Sequence, residues 1–136
     1  MLPMEPNVPV RQPCPPGACD CERDRLLDVP GADLRILWLT RNEEKRLLER
    51  LENIASLSDL EHMQRRMYEQ LGIRLHVAPG FSEVKTVRGI EFQIDELPGM
   101  CRKTRKAIPT SIRRALEKRP EIAYELLNAH DLLRGT

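Results

Sequence analysis

The chain has 136 residues, of which 40% are hydrophobic and only 4% are aromatic. This length and composition indicate one domain, with a core filled by Leu, Ile, Val and Met rather than by aromatic side chains. The 22 Lys and Arg residues nearly balance the 21 Asp and Glu residues, and a net charge of +1 excludes a global attraction to nucleic acid or to anionic membranes.

The N-terminal stretch, MLPMEPNVPVRQP, lacks the basic region and the apolar run of a secretory signal peptide. No stretch of the sequence approaches the roughly 18 consecutive apolar residues of a membrane span. We therefore expect a cytoplasmic protein with no membrane partner, in which thiols stay reduced. Disulfides are then the less expected use of the four cysteines, unless the protein is secreted by another route.

Six prolines lie within residues 1–18, and this density prevents both a helix and a central strand. We predict a flexible tail, rich in Pro and Cys, over residues 1–22 and a single α+β domain over residues 23–136. The stretch from Cys21 to Leu27 could form one or two helical turns before Pro30-Gly31 ends them.

Residues 34–39 are apolar on both faces, which predicts a central strand ending near Thr40. The stretch Thr40-Arg41-Asn42-Glu43 is a capping box that predicts the start of a helix. A second box, Ser58-Asp59-Leu60-Glu61, predicts the start of the next helix, which Gly72 is suited to end because glycine accepts a left-handed φ.

Two alternating runs follow, over residues 73–77 and 90–95, and both predict half-buried strands. Paired as a hairpin, the strands would place Arg74 or His76 opposite Glu91 or Gln93, and residues 84–87 could extend the second strand backwards.

The sequence after Pro98-Gly99 predicts a short helix over residues 100–107 and two longer helices that begin at Pro109 and Pro120, where proline fits the first turn. The predicted order of longer elements is β-α-α-β-β-α-α. We thus expect an α+β fold in which a small sheet of about three strands is covered by four to five helices.

The cysteines have the spacing C-x4-C-x-C, followed by one distant cysteine. Four thiolates suffice for a structural zinc site, and the plant-type iron–sulfur spacing C-x4-C-x2-C differs from this one by a single residue. We predict a zinc ion or an iron–sulfur cluster as the bound group. Alternatives are three tail cysteines acting with one histidine, or ordinary reduced cysteines in a mobile tail. The predicted ligands are Cys14, Cys19, Cys21 and Cys101.

Cys101 lies near a predicted helix N-terminus and is followed by Arg102, Lys103, Arg105 and Lys106. Helix N–H groups and nearby cations both favour a thiolate, which suits a metal ligand or a redox-sensitive thiol. A small, partly buried side chain that packs the helix start is the alternative.

His62, His76 and His130 belong to no paired motif, and neither GxSxG nor a glycine-rich phosphate loop occurs. We therefore predict no enzyme, no catalytic residue and no small-molecule substrate.

The stretch from 102 to 119 holds eight basic residues and a single acidic one. Such a cluster on helices could bind nucleic-acid phosphates, with RNA favoured over DNA, and an acidic protein partner fits equally well. The alternative is a solvated helix face, or one that docks on acidic side chains between residues 43 and 61. The basic residues are Arg102, Lys103, Arg105, Lys106, Arg113, Arg114, Lys118 and Arg119.

The sequence therefore leaves three functional hypotheses open. The first is a small, non-enzymatic accessory protein that binds a metal ion or cluster through its cysteines. The second is an RNA-binding or ribosome-associated module that uses residues 102–119. The third is a protein-interaction domain without a metal.

Overall fold

A computed structural model of the chain describes residues 11, 21, 23–79 and 90–134, apart from the side chains of residues 24, 79 and 130–134. The described part is a mixed α+β structure, as predicted. None of the helices in these ranges is long and apolar enough to cross a membrane. The elements are helix α1 (Arg23–Asp28), a 3-10 helix (Arg35–Trp38), helices α2 (Arg41–Glu52) and α3 (Leu57–Leu71), strands β1 (Leu75–Pro79) and β2 (Ile90–Ile94), and helices α4 (Arg102–Lys118) and α5 (Pro120–Arg134).

The central strand predicted to end near Thr40 is wrong, because residues 35–38 form a 3-10 helix. The Asp33 carboxylate accepts a hydrogen bond from the Arg35 backbone N–H (3.1 Å), a local contact that favours a turn over an extended chain. Both Ile36 and Leu37 are fully buried. An apolar pattern on two faces fits a short buried turn as well as it fits a buried strand.

The sheet within the described ranges has two antiparallel strands, β1 and β2, instead of about three. The register places His76 opposite Gln93, which confirms one of the predicted cross-strand pairs. The predicted extension over residues 84–87 lies outside the described residues. The apolar residues of both strands share one face, which packs against the core.

The helix caps follow the sequence with one shift. Thr40 Oγ1 accepts from the Glu43 N–H (3.3 Å), as predicted. Helix α3 is capped by Ser56, two residues before the predicted Ser58, because Ser56 Oγ accepts from the Asp59 N–H (3.1 Å). Gly72 ends α3 with a φ of 76°, also as predicted.

Helix α4 is continuous through Pro109, so the predicted break between residues 107 and 109 is wrong. A proline inside a helix removes one backbone hydrogen bond and disfavours the helix by about 3 kcal/mol. Buried residues on both sides of Pro109, from Thr104 to Leu116, make one stripe against the core. The burial of this stripe offsets the loss at the proline.

Helices α2 and α4 pack side by side and run in the same direction. Two contacts fix this direction: Thr104 Oγ1 donates to Glu44 Oε1 (2.9 Å), and Arg114 Nη1 donates to Glu52 Oε1 (2.7 Å). The contacts pair an early residue of α2 with an early residue of α4 and a late residue with a late one. The N-terminal ends of the two helices therefore lie at the same end of the pair.

Candidate functional site

Two described residues of the predicted tail, Arg11 and Cys21, are bound to the domain. The Arg11 backbone N–H donates to the Leu37 carbonyl (2.7 Å), and the Arg11 carbonyl accepts from Arg23 Nε (3.1 Å). The rest of the predicted tail, including Cys14 and Cys19, lies outside the described residues.

Cys21 is buried, with 8% of its surface exposed. Its backbone carbonyl accepts a hydrogen bond from the Gly99 N–H (2.8 Å). Gly99 lies two residues before Cys101, so this contact brings the end of the predicted tail to the chain segment that carries the fourth cysteine. The hydrogen bond thus links two segments whose cysteines are 80 positions apart in the sequence.

Gly99 makes the close approach of this segment possible. Its φ is +90°, and a Cβ atom there would lie 2.7 Å from Leu26 Cδ2 and 3.0 Å from Ile36 Cγ2. Only glycine combines this left-handed conformation with so little space. The turn at Pro98-Gly99 is therefore held against α1 and the 3-10 helix.

Cys101 is the N-cap residue of α4, as the predicted helix N-terminus required. It is half-buried, with an extended backbone, and its side chain does not cap the helix. The thiol-bearing residue thus lies at the N-terminal end of a 17-residue helix.

The Cys21 sulfur lies next to a cation. Arg11 Nη2 is 3.5 Å from Cys21 Sγ. The Nε atom of Arg11 is buried and has no hydrogen-bond partner among the described residues. The guanidinium N–H groups of arginine can only donate hydrogen bonds, and the cysteine sulfur is a weak acceptor.

The four predicted thiol ligands cannot all be placed, because Cys14 and Cys19 are not described. Over the ranges 23–79 and 90–134 together with residues 11 and 21, no group of three His, Cys, Asp or Glu side chains has a metal-binding arrangement. The donor set of four thiols suits zinc or an iron–sulfur cluster, and two of its members lie on chain segments that the fold brings together.

The eight basic residues of the predicted cluster occupy different environments on α4. Arg113 stacks on the Phe92 ring, with its guanidinium carbon 4.8 Å from the ring centroid, and Arg114 pairs with Glu52. Arg105 is half-buried. The exposed members are Arg102, Lys103, Lys106, Arg114, Lys118 and Arg119. The pairing of Arg114 with Glu52 agrees with the alternative in which part of the stretch docks on acidic residues of the same chain.

A groove of about 540 Å³ runs between α2 and α4. Its lining includes two cations that the sequence analysis did not select, Arg41 and Lys45 on α2. They are four residues apart, so they share one face of α2, but nothing in the sequence alone shows that this face adjoins Lys103 and Lys106 of α4.

The histidines give no further site. His76 is exposed and its Nε2 lies 3.1 Å from Asp95 Oδ1 across the hairpin. His62 is exposed on α3, and the side chain of His130 is not described.

Comparisons with family models, with curated proteins and with solved structures find no match for this chain.

Proposed function

We propose that this chain is a small cytoplasmic accessory protein, without catalytic activity of its own, that binds a metal ion or an iron–sulfur cluster. Its ligands are Cys14, Cys19, Cys21 and Cys101. The observation that carries the proposal is the 2.8 Å hydrogen bond from the Gly99 N–H to the Cys21 carbonyl. It joins the end of the cysteine-rich segment to a residue that lies two positions before Cys101.

The surroundings of Cys21 suit a metal-bound sulfur. The guanidinium of Arg11 lies against it, with Nη2 3.5 Å from Cys21 Sγ. Hydrogen bonds to metal-bound sulfur are a regular part of the surroundings of thiolate sites. Arg11 would then hold the sulfur in position and balance part of its charge.

Zinc is favoured over an iron–sulfur cluster. A structural zinc site uses four protein ligands, and the chain has four cysteines with none left over. The cysteine spacing of this chain differs by one residue from that of plant-type iron–sulfur proteins, although such a cluster also takes four thiolate ligands.

The test is a metal analysis of the full chain purified under reducing conditions, together with an absorption spectrum. One zinc per chain in a colourless protein is expected. A brown protein with iron and inorganic sulfide would assign the cluster instead. If the protein takes up no metal on reconstitution, either with zinc or with iron and sulfide, the proposal is wrong and a protein-interaction domain without a metal is favoured.

Two variants separate the ligand sets. The triple variant Cys14→Ser, Cys19→Ser, Cys21→Ser should lose the metal and keep the helical content of the wild type, since most of the apolar core lies outside residues 1–22. The single variant Cys101→Ser should also lose it. Retention of the metal by Cys101→Ser would favour three tail cysteines acting with a histidine. Equal metal content in the triple variant would exclude Cys14, Cys19 and Cys21 as ligands and contradict the proposal.

A further inference from the structure

Four cations from two helices converge at one end of the groove between α2 and α4. Arg41 and Lys45 come from the first two turns of α2, and Lys103 and Lys106 come from the first two turns of α4. Because the helices run in the same direction, all four lie at the N-terminal end of the pair. We refer to these four residues as the cation quartet.

The side chains of the cation quartet are exposed and make no direct polar contact with the described part of the chain. All four side chains are solvent-exposed, and none has a hydrogen bond or an ion pair to any of the residues that the structure describes. This distinguishes them from Arg113 and Arg114 of the same basic stretch, which are stacked on Phe92 and paired with Glu52.

The carboxylates of the groove do not neutralise the quartet. Glu44 accepts the hydrogen bond of Thr104, and Glu52 is paired with Arg114. Glu49 lies one helical turn beyond Lys45 on α2, and Glu52 lies nearer the C-terminal end of that helix. The four cations of the quartet therefore face two carboxylates, Glu44 and Glu49, which balance their charge only in part.

The position of Lys103 opposes the dipole of α4. The first turn of a helix is its positive end and favours acidic side chains; α2 has Glu43 and Glu44 there, but α4 has no acidic residue in its first turn. Residues that break a local rule in this way are often kept for function. An anion bound at this end would relieve the repulsion among the cations and between the cations and the helix ends.

We propose that the N-terminal end of the α2–α4 groove binds the phosphodiester backbone of a nucleic acid strand, with the cation quartet neutralising its phosphates. This surface differs from the basic stretch 102–119 because it includes Arg41 and Lys45 and excludes Arg113 and Arg114. It is independent of the thiol site.

The make-up of the quartet is compatible with phosphates. Three of its members are lysines, which bind phosphates as point charges. The N-terminal ends of helices are also regular phosphate contacts. None of the described residues that line the groove is aromatic, so the bases find no stacking partner among them. Binding is consequently independent of base sequence and sensitive to salt.

The experiment measures binding of the full chain to fluorescein-labelled oligouridylate and oligothymidylate of about 20 nucleotides by fluorescence anisotropy, over about 50 to 500 mM salt. The double variants are Arg41→Ala/Lys45→Ala and Lys103→Ala/Lys106→Ala. Each should weaken binding about tenfold at low salt and reduce the slope of log affinity against log salt by about 1 to 1.5. An equal loss of affinity for oligouridylate and oligothymidylate would identify the shared phosphate backbone as the ligand. A loss of affinity for oligouridylate alone would identify RNA as the ligand.

The matched control is Lys118→Ala/Arg119→Ala, which removes the same charge from exposed positions at the other end of α4. It should change affinity less than about threefold. An equal loss of affinity in the control would show that binding depends on overall charge and not on the cation quartet, and it would overturn the proposal. Failure of both strands to bind at low salt would also overturn it, as would tighter binding of a polyglutamate peptide, which would assign an acidic protein partner instead.

Discussion

Thr104 Oγ1 donates a hydrogen bond of 2.9 Å to Glu44 Oε1, and this contact joins α4 to α2 across 60 positions of sequence. Thr104 is buried, with 6% of its surface exposed, and Glu44 is half-buried. The bond therefore lies where water competes weakly for the carboxylate, and it helps to fix how the two helices are aligned along the groove.

The substitution Thr104→Val keeps the shape of this side chain and removes its donor. We expect the free energy of unfolding to fall by about 1 to 2 kcal/mol, because a hydrogen bond to a charged group is lost. Thr110→Val is the control: Thr110 is exposed and its hydroxyl bonds only to the Lys106 carbonyl of the same helix. Its effect should stay within about 0.5 kcal/mol in urea unfolding. Similar losses in both variants would show that the contact between the helices contributes nothing.

Gly99→Ala tests the turn that brings Cys21 toward Cys101. Two effects destabilise the variant: a φ of +90° and a Cβ atom 2.7 Å from Leu26 Cδ2. Gly31→Ala is the matched control, since Gly31 has a φ of +73° and nothing within 4 Å of the added atom. We expect Gly31→Ala to cost about 1 kcal/mol, from the left-handed conformation alone.

Gly99→Ala should cost at least about 2 kcal/mol, because overpacking adds to the conformational cost. If the proposed thiol site is correct, this variant should also hold its metal less tightly than Gly31→Ala does, as a chelator competition would show. Equal stabilities of the two variants would mean that Leu26 and Ile36 yield to the added methyl group.

Acid stability should depend on Asp59. This carboxylate accepts hydrogen bonds from Arg50 and from the Ala55 N–H (3.0 Å), and its side chain is 18% exposed. The hydrogen bond from Arg50 is the main cause that lowers the pKa of Asp59 below its ordinary value. A carboxyl group with a lowered pKa in the folded state contributes stability above the unfolded pKa, near 4, and loses that contribution as pH falls through the folded value.

The variant Asp59→Asn should therefore be less stable than the wild type at pH 7, and the difference should shrink as pH falls below about 4. Urea midpoints at several pH values check this. Asp28→Asn is the control, because Asp28 is an exposed carboxyl group at the end of α1. A stability difference for Asp59→Asn that stays constant from pH 7 to strongly acidic pH would contradict the role of the Arg50 bond.

Local chemistry decided which elements could be predicted from the sequence. The Thr40 cap and the Gly72 terminus were predictable because each depends on contacts within a few residues. The 3-10 helix over Arg35–Trp38 was not, because Arg35 is also held by the Tyr68 and Glu69 carbonyls (2.9 Å each), more than 30 positions away. Pro109 was taken as a helix start because burial on both of its sides depends on the packing of α4 in the core.

The candidate sites divide in the same way. The position of Cys101 at a helix N-terminus was predictable from Pro98-Gly99, but its connection to Cys21 depends on a backbone bond between distant segments. Arg41 and Lys45 were not selected because they lie in a stretch of mixed charge. Only the parallel packing of α2 and α4 places them in one groove with Lys103 and Lys106.

The last prediction concerns a conflict between stability and binding at Lys103. This exposed side chain lies in the first turn of α4, at the positive end of the helix, and in the same groove as Arg41, Lys45 and Lys106. Lys103→Glu places an acidic side chain where the dipole and the neighbouring cations both favour it. We expect the free energy of unfolding to rise by about 0.3 to 1 kcal/mol at low salt, while affinity for oligouridylate falls.

The same substitution at Lys118, in the last turn of α4, opposes the dipole there and should lower stability with little effect on binding. Thermal unfolding of both variants at low salt and at about 1 M salt, where screening removes most of the difference, measures the stability effect. If Lys103→Glu is more stable than the wild type and binds oligouridylate more weakly, then Lys103 serves binding at a cost in stability. If Lys103→Glu is less stable, then Lys103 supports the fold.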